Sequence, residues 1–363
     1  MTNRRSFLAG SGSTLAGLMF CSCGLLHGRA ARAQVPAAPA VRRGRPRVKT
    51  IDVHTHCFFQ DAIDLMGPDA KAVLPPVKGI PEHFIQVDKR IAAMQAQGID
   101  MQVLSVNPFW YRKDVDTARA ICKIHNEKLA ELCASHPDHF AAFASLTLQD
   151  PQIAAQQLEE AVRKYGLKGA AIGGSFNGKA FADKSFHPVW AKAEELGAVL
   201  FIHPQSVPEL GNRWAGNGWL SNVIGNPLDT TIALNKLIFE GTLDRFPGLK
   251  VLAAHGGGYI SEAATRSDRS CFVSPSNCNP EIQLRKKPSE YLKQIYVDSI
   301  VVTPEALRHT VAEFGDTQVM IGTDHPIPWE EHPVDLVMAA PLTDAQKEGV
   351  LGLNAAKLLN IKV

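Results

Sequence analysis

The chain carries almost no surplus of charge: 38 Lys and Arg stand against 36 Asp and Glu, a formal net charge of +2. The first 33 residues hold four Arg and no acid, so the remainder is slightly acidic. No basic stripe recommends nucleic acid as a partner. No Cys-x-x-Cys pair occurs among the seven cysteines, which removes the usual thiolate zinc sites. No Gly-rich dinucleotide turn follows the first apolar run, which counts against a doubly wound nucleotide-binding sheet. Internal repeats are absent too. What remains, 45% hydrophobic and 20% charged over 363 residues, is the composition of a folded enzyme rather than a disordered chain, a collagen or a coiled coil.

The amino terminus reads as a leader. Arg4-Arg5-Ser6-Phe7-Leu8 precedes a moderately apolar stretch to about Leu26, and Ala31-Arg32-Ala33 has the small-x-small pattern of a cleavage site. Residues 1–33 are therefore expected to be a twin-arginine signal peptide that sends the folded protein to the periplasm. Gly10, Gly12, Gly17 and Gly24 weaken the alternative of an uncleaved span, so no stable membrane insertion is expected after signal removal. Residues 34–49, rich in Pro, Ala and Arg, read as a linker. Cys57, Cys122 and Cys133 sit in apolar contexts as buried thiols, while Cys271 and Cys278 could close a small loop in an oxidising compartment.

From residue 50 to the carboxyl terminus, short apolar runs alternate with amphipathic stretches. The strand candidates are 50–53, 101–106, 140–146, 168–172, 198–202, 250–254, 295–298 and 318–321. Several are apolar at consecutive positions, as in Ala198-Val199-Leu200-Phe201-Ile202, which suits parallel strands buried on both faces. Eight such units predict an α/β fold, a single-domain (β/α)8 TIM barrel spanning 50–363. Two insertions, 57–86 and 205–229, follow strands one and five, on the side where barrel loops build active sites.

Polar residues gather at the strand ends. Ile51-Asp52-Val53-His54-Thr55-His56 closes the first strand with two histidines at i and i+2, which share a face. Strand five ends in His203, strand six in His255 followed by Gly256-Gly257-Gly258, and strand eight in Gly322-Thr323-Asp324-His325. One buried histidine is commonly a satisfied core residue, but four with an aspartate at the same end of a barrel define a cavity. His54, His56, His203 and Asp324 supply three nitrogens and an oxygen with room for a further ligand, the donor set of a catalytic Zn²⁺. His255 is then left for proton transfer. Its glycines allow a tight bend and close approach of a substrate to the backbone. The residues after strand four offer no bridging carboxylate, so a single ion is expected. His125, His136, His139, His187 and His309 read as helix-surface or capping residues, and His325 carries no assigned role.

Taken together, Ile51-Asp-Val-His-Thr-His56, Leu200-Phe-Ile-His-Pro204, the run from Phe246 through His255 to Gly258, and Ile321-Gly-Thr-Asp-His-Pro326 resemble the amidohydrolase superfamily. The branch they resemble is the decarboxylase-rich one typified by 2-amino-3-carboxymuconate 6-semialdehyde decarboxylase. The resemblance runs from about Thr50 to the carboxyl terminus. It implies zinc on His54, His56, His203 and Asp324, with His255 as acid/base. It also implies Arg266, eleven residues after His255, as a carboxylate clamp, and Trp219 as a pocket wall. The sequence departs from that branch in lacking an Arg in the first insertion, where Lys71 and Lys78 stand, and in carrying a leader.

The expected activity is non-oxidative decarboxylation of a small unsaturated or aromatic carboxylic acid, with His255 and Asp324 handling protons. The same donors would also serve hydrolysis of a lactone, ester or amide, which is the alternative. A serine hydrolase fails, because Gly173-Gly174-Ser175-Phe176-Asn177 misses the nucleophile-elbow motif at its last position and precedes His255. A periplasmic binding protein would not need five converging metal and proton-transfer groups. Apolar helix faces around a barrel suggest a homodimer as the further partner.

Overall fold

The computed structural model describes residues 48–70 and 77–363. The expected signal peptide, the linker up to residue 47 and Lys71 lie outside the described residues. Besides a short antiparallel pair, Ser175–Phe176 with Lys179–Ala180, eight parallel strands follow one another among the described residues: β1 (Ile51–His56), β2 (Met101–Ser105), β3 (Phe140–Ala142), β4 (Gly169–Ile172), β5 (Val199–Ile202), β6 (Lys250–Ala253), β7 (Ile295–Asp298) and β8 (Val319–Met320). β1 to β3 pair in chain order, and so do β4 to β8, all parallel. Both seams between these arcs are bridged. Ala144, just past β3, pairs with Ala170 of β4, and Thr55 of β1 pairs with His325 past β8. At the second seam Val53 N donates to Ile321 O at 3.0 Å and Asp324 N to His54 O at 2.9 Å. The sheet is thus closed on itself into the expected TIM barrel.

Strand residues of opposite parity build two cores. Val199, Phe201, Leu252 and Met320 meet inside the barrel, whereas Leu200, Ile202, Val251 and Ala253 pack outward against the helices. Burying a side chain such as Phe201 stabilises the fold by roughly 2–3 kcal/mol. The helices begin and end where local chemistry dictates. Asp150 caps Pro151–Arg163 by accepting from Gln152 N and Ile153 N, and Gly197 ends His187–Leu196 in the left-handed region at φ 60°.

The elements differ from the sequence expectation in three places. β1 runs on to His56, so both histidines belong to the strand. β3 is shorter than expected: it ends at Ala142, a bridge at Ala144 follows, and pairing does not reach Ser145, whose backbone N–H and C=O are taken by the Asn126 side chain at 2.7 and 3.0 Å. The second insertion ends early, as helix Gly225–Phe239 has already begun. Cys271 and Cys278 form a disulfide, and Cys57 and Cys122 are buried thiols. His125, read as a surface residue, is buried instead, its Nδ1 3.0 Å from Ser145 Oγ. Its helix, Val115–Ser135, presents it to the barrel wall rather than to solvent.

Candidate metal centre

The inward aim of the first two histidines depends on an irregularity in β1. Asp52 pairs with Gln102 and Thr55 with Leu104, so Val53 and His54 together stand opposite Val103 alone. That β-bulge shifts the alternation by one residue. Ile51 and Val53 point into the barrel core, and beyond the bulge His54 and His56 do so as well. Uninterrupted alternation from Ile51 would have sent both imidazoles toward the helices. Buried Asp52 secures the join: it accepts from Thr323 Oγ1 at 2.6 Å, Thr323 N at 3.1 Å and His54 N at 3.1 Å. Burial pushes its carboxyl up to about 7.

Hydrogen bonds on the far side of the His54 and His56 rings fix which nitrogen faces the centre. His54 Nδ1 lies 2.6 Å from Asp298 Oδ2 and donates to it, which leaves Nε2 as the nitrogen that faces the centre. Ser105 Oγ donates to Thr55 O at 2.9 Å and so accepts from His56 Nδ1 at 3.3 Å, which turns His56 Nε2 inward in the same way. The two Nε2 atoms are 3.1 Å apart, and Asp324 Oδ1 lies 3.3 Å from the first and 2.8 Å from the second. A tetrahedral ion with bonds of about 2.1 Å has donor edges of about 3.4 Å, close to these separations. His203 packs edge-on against both rings, at 4.9 and 4.6 Å between centroids, and its buried Nδ1 has no protein partner. One ligand atom from each of His54, His56, His203 and Asp324 falls within 4.8 Å of every other. Three imidazoles, a carboxylate and an orphaned nitrogen fit a single divalent ion.

The electrostatics agree. Burial would raise Asp324, but the imidazoles of His54 and His56 outweigh it and hold the carboxyl well below the usual range. Burial lowers His56 and, still more, His203, keeping both neutral as ligands must be. At His54 burial is overcome by the Asp324 and Asp298 carboxylates, which lift it to about 10. Two buried carboxylates thus demand a positive charge at this point.

His255 stands at the edge of the cluster, its Nε2 4.0 Å from Asp324 Oδ2 and its ring 5.2 Å from that of His54. It adopts φ 57°, a left-handed conformation that must be held from outside in a residue with a side chain. Asp298 does the holding, accepting from His255 N and Gly256 N at 2.9 Å each. Burial and the nearby His54 push the His255 imidazole down to about 4, so it is neutral at physiological pH. The glycines make the expected tight bend, at φ 62°, 80° and 70°, and protein packs closely against them. A Cβ at Gly256 would meet Val301 at 2.4 Å and one at Gly258 would meet Pro227 O at 2.1 Å.

A cavity of about 700 Å³ opens over the cluster, lined by His56, His203 and Asp324 together with His83, Arg112 and Trp219, among others. Trp219 lines this cavity, and its ring stacks on Trp329 at 5.7 Å. Arg266 is not brought here: it is exposed on helix Ile260–Ser267 and outside the lining. Arg112 is the one Lys or Arg among the described residues that line the cavity. A larger crevice, about 1020 Å³, is lined by Lys49, Gly98, Asp138 and their neighbours, which precede β1, β2 and β3, and holds none of the four donors.

Asp298, Ser105 and Trp329 join the site without having been marked by any motif. Asp298 had a signal, since it closes the apolar run Ile295-Tyr-Val-Asp298 as the histidines close theirs. Ser105 and Trp329 had none.

A closed α/β barrel with imidazoles and a carboxylate converging at the carboxyl ends of its strands defines a metal-dependent barrel enzyme. The chain belongs to the amidohydrolase family, whose sequence profile matches residues 51–361. It is 33% identical over 281 residues to the 2-amino-3-carboxymuconate-6-semialdehyde decarboxylase of Dictyostelium discoideum, covering 76% of each chain. Among solved structures it is similar to 5-carboxyvanillate decarboxylase of Sphingomonas paucimobilis, with 26% identity, a TM-score of 0.80, and coverage of 87% of this chain and 100% of the other. A dihydroxybenzoic acid decarboxylase of Polaromonas, solved with bound manganese, shares the fold at 24% identity and a TM-score of 0.77, covering 86% and 97%.

Proposed function

We propose that the protein is a metal-dependent, non-oxidative decarboxylase of a small aromatic or unsaturated carboxylic acid, working with one divalent ion on His54, His56, His203 and Asp324. The observation that carries the reading is the convergence of those four donors, with neutral His255 beside them, under a cavity of about 700 Å³. Decarboxylases of aromatic and unsaturated acids among the relatives point the same way.

A bound divalent ion supplies Lewis acidity toward a substrate oxygen. The protein's own groups do the rest. Asp298 and Ser105 keep two imidazoles in the ligating tautomer. His255, neutral at rest, can accept a proton and return it to the carbon that loses carbon dioxide. The bonding pair of the broken C–C bond stays with that carbon and takes up the proton, so no oxidant is needed. Arg112, which lines the cavity and makes no ion pair among the described residues, is the cation placed to meet a substrate carboxylate, in place of Arg266.

Zinc is the proposed ion, on the nitrogen-rich donor set. Elemental analysis distinguishes it from the manganese found in the Polaromonas relative. The activity test is turnover on a panel of aromatic and unsaturated carboxylic acids, following gas and acid together. Carbon dioxide released in step with substrate loss supports the reading, and acid released without carbon dioxide replaces it with hydrolysis. Export by the twin-arginine route to the periplasm is proposed on residues 1–33, and a mature amino terminus near residue 34 in the periplasmic fraction tests it. Homodimer formation is proposed on the barrel's helix faces and is tested by light-scattering mass.

A further inference from the structure

Asp324 has two oxygens with different surroundings. Oδ1 faces the imidazoles of His54 and His56, whereas Oδ2 accepts from Trp329 Nε1 at 2.7 Å and stands 4.0 Å from His255 Nε2. Its backbone is left-handed, at φ 60°, a conformation that holds a side chain in place only when the surroundings over-determine it. The indole ring of Trp329 in turn lies almost parallel to that of Trp219, 5.7 Å away at an interplanar angle of 11°. Trp219 is also left-handed, at φ 50°, follows Gly218 at φ 96°, and lines the cavity. One hydrogen bond and one ring stack therefore connect a carboxylate donor of the metal cluster to the segment that walls the substrate cavity.

We propose that Trp329 is a positioning residue for Asp324. Its indole N–H ties down Oδ2, so that Oδ1 alone joins the three imidazoles and the carboxylate neither swings to chelate with both oxygens nor closes on His255. The N–H is suited to this because an indole only donates and carries no charge that would compete with the ion. The stack on Trp219 places the ring and makes the position of the carboxylate depend on the cavity wall. This inference rests on reading the four-residue cluster as a metal site.

Two substitutions separate the N–H from the ring. Trp329→Phe keeps a six-membered ring for Trp219 but removes the donor. Trp329→His keeps an N–H two ring positions from Cγ, where the indole has it, and removes the stacking ring. The full protein is loaded with metal, and metal affinity is read by competition with a chromogenic chelator at pH 8, alongside kcat and KM. Loss of a hydrogen-bond partner behind a metal ligand typically changes affinity or activity by about 10- to 100-fold. Trp329→Phe is expected to weaken metal binding at least about tenfold and to lower kcat with KM within about twofold, at an unchanged melting temperature of the metal-free protein. Trp329→His is expected to hold metal affinity within about threefold of the parent while losing the near-ultraviolet circular dichroism of the stacked indoles. Metal affinity and kcat within twofold of the parent in Trp329→Phe would overturn the proposal. Should that variant fail to fold, an equal loss of metal affinity in a folded Trp329→His would overturn it instead. A parent protein that binds no divalent metal would sink the reading of the site itself, which is a separate outcome.

Discussion

A hydrogen bond of 2.6 Å decides which nitrogen of His54 faces the other donors, and the residue that makes it, Asp298, also pins the backbone of His255. Asp298→Asn replaces one accepting oxygen by an amide N–H₂ that cannot receive the His54 proton. A loss of about 10- to 100-fold in metal affinity or activity is expected, to be read by competitive metal titration. His255→Asn should behave differently. With no donor among His54, His56, His203 and Asp324 touched, metal content by elemental analysis stays at the parent level while kcat falls by about 10²- to 10⁴-fold, the usual contribution of a proton-transfer group. At this scale the sequence was informative where chemistry is encoded in residue type: three histidines and an aspartate at strand ends told their use directly. It was silent about partners such as Ser105, whose hydroxyl is common in any strand and matters here only because it lies 3.3 Å from His56 Nδ1.

Elements were legible as far as their signals are local. The apolar runs marked all eight strands, and Gly98 and Gly197 marked helix ends, because burial on both faces and left-handed backbone each demand particular residue types. The ends of β1 and β3 were not legible. Nothing in Ile51-Asp-Val-His-Thr-His announces a bulge opposite Val103, and nothing in 140–146 shows that Asn126, on the preceding helix, takes over the hydrogen bonds of Ser145. That substitution of a side chain for a strand partner has a measurable weight. Asn126→Ala leaves a buried N–H and C=O of Ser145 without their partner, at about 1–3 kcal/mol each. A destabilisation of roughly 2–6 kcal/mol is expected in urea unfolding, with little change in the denaturant slope.

For the whole molecule, buried neutral histidines set the response to acid. His125 is pushed by burial down to about 3, against 6.5 for the exposed side chain. Between those values the unfolded chain binds a proton that the folded one does not, so stability present at neutral pH is lost as the pH falls from 6.5 toward 3. His125→Gln should reduce the protons taken up on unfolding near pH 5 by about one, measured as a shallower fall of unfolding free energy between pH 7 and pH 5. Metal acts on the same balance from the other side. An ion that binds only the folded barrel adds about 2.7 kcal/mol at a hundredfold excess over its dissociation constant, so stripping it with a chelator should lower the melting temperature reversibly.

By itself the sequence determined the class of fold and the chemistry of its donors, because apolar periodicity and residue type are properties of short stretches that survive without knowing the neighbours. Only the tertiary structure decided which way those donors point, which nitrogen His54 and His56 offer, and that Arg112 lines the cavity. Those outcomes turn on a one-residue shift in strand pairing and on individual hydrogen bonds, such as that between His54 and Asp298, which strand-end positions bring near one another but do not specify.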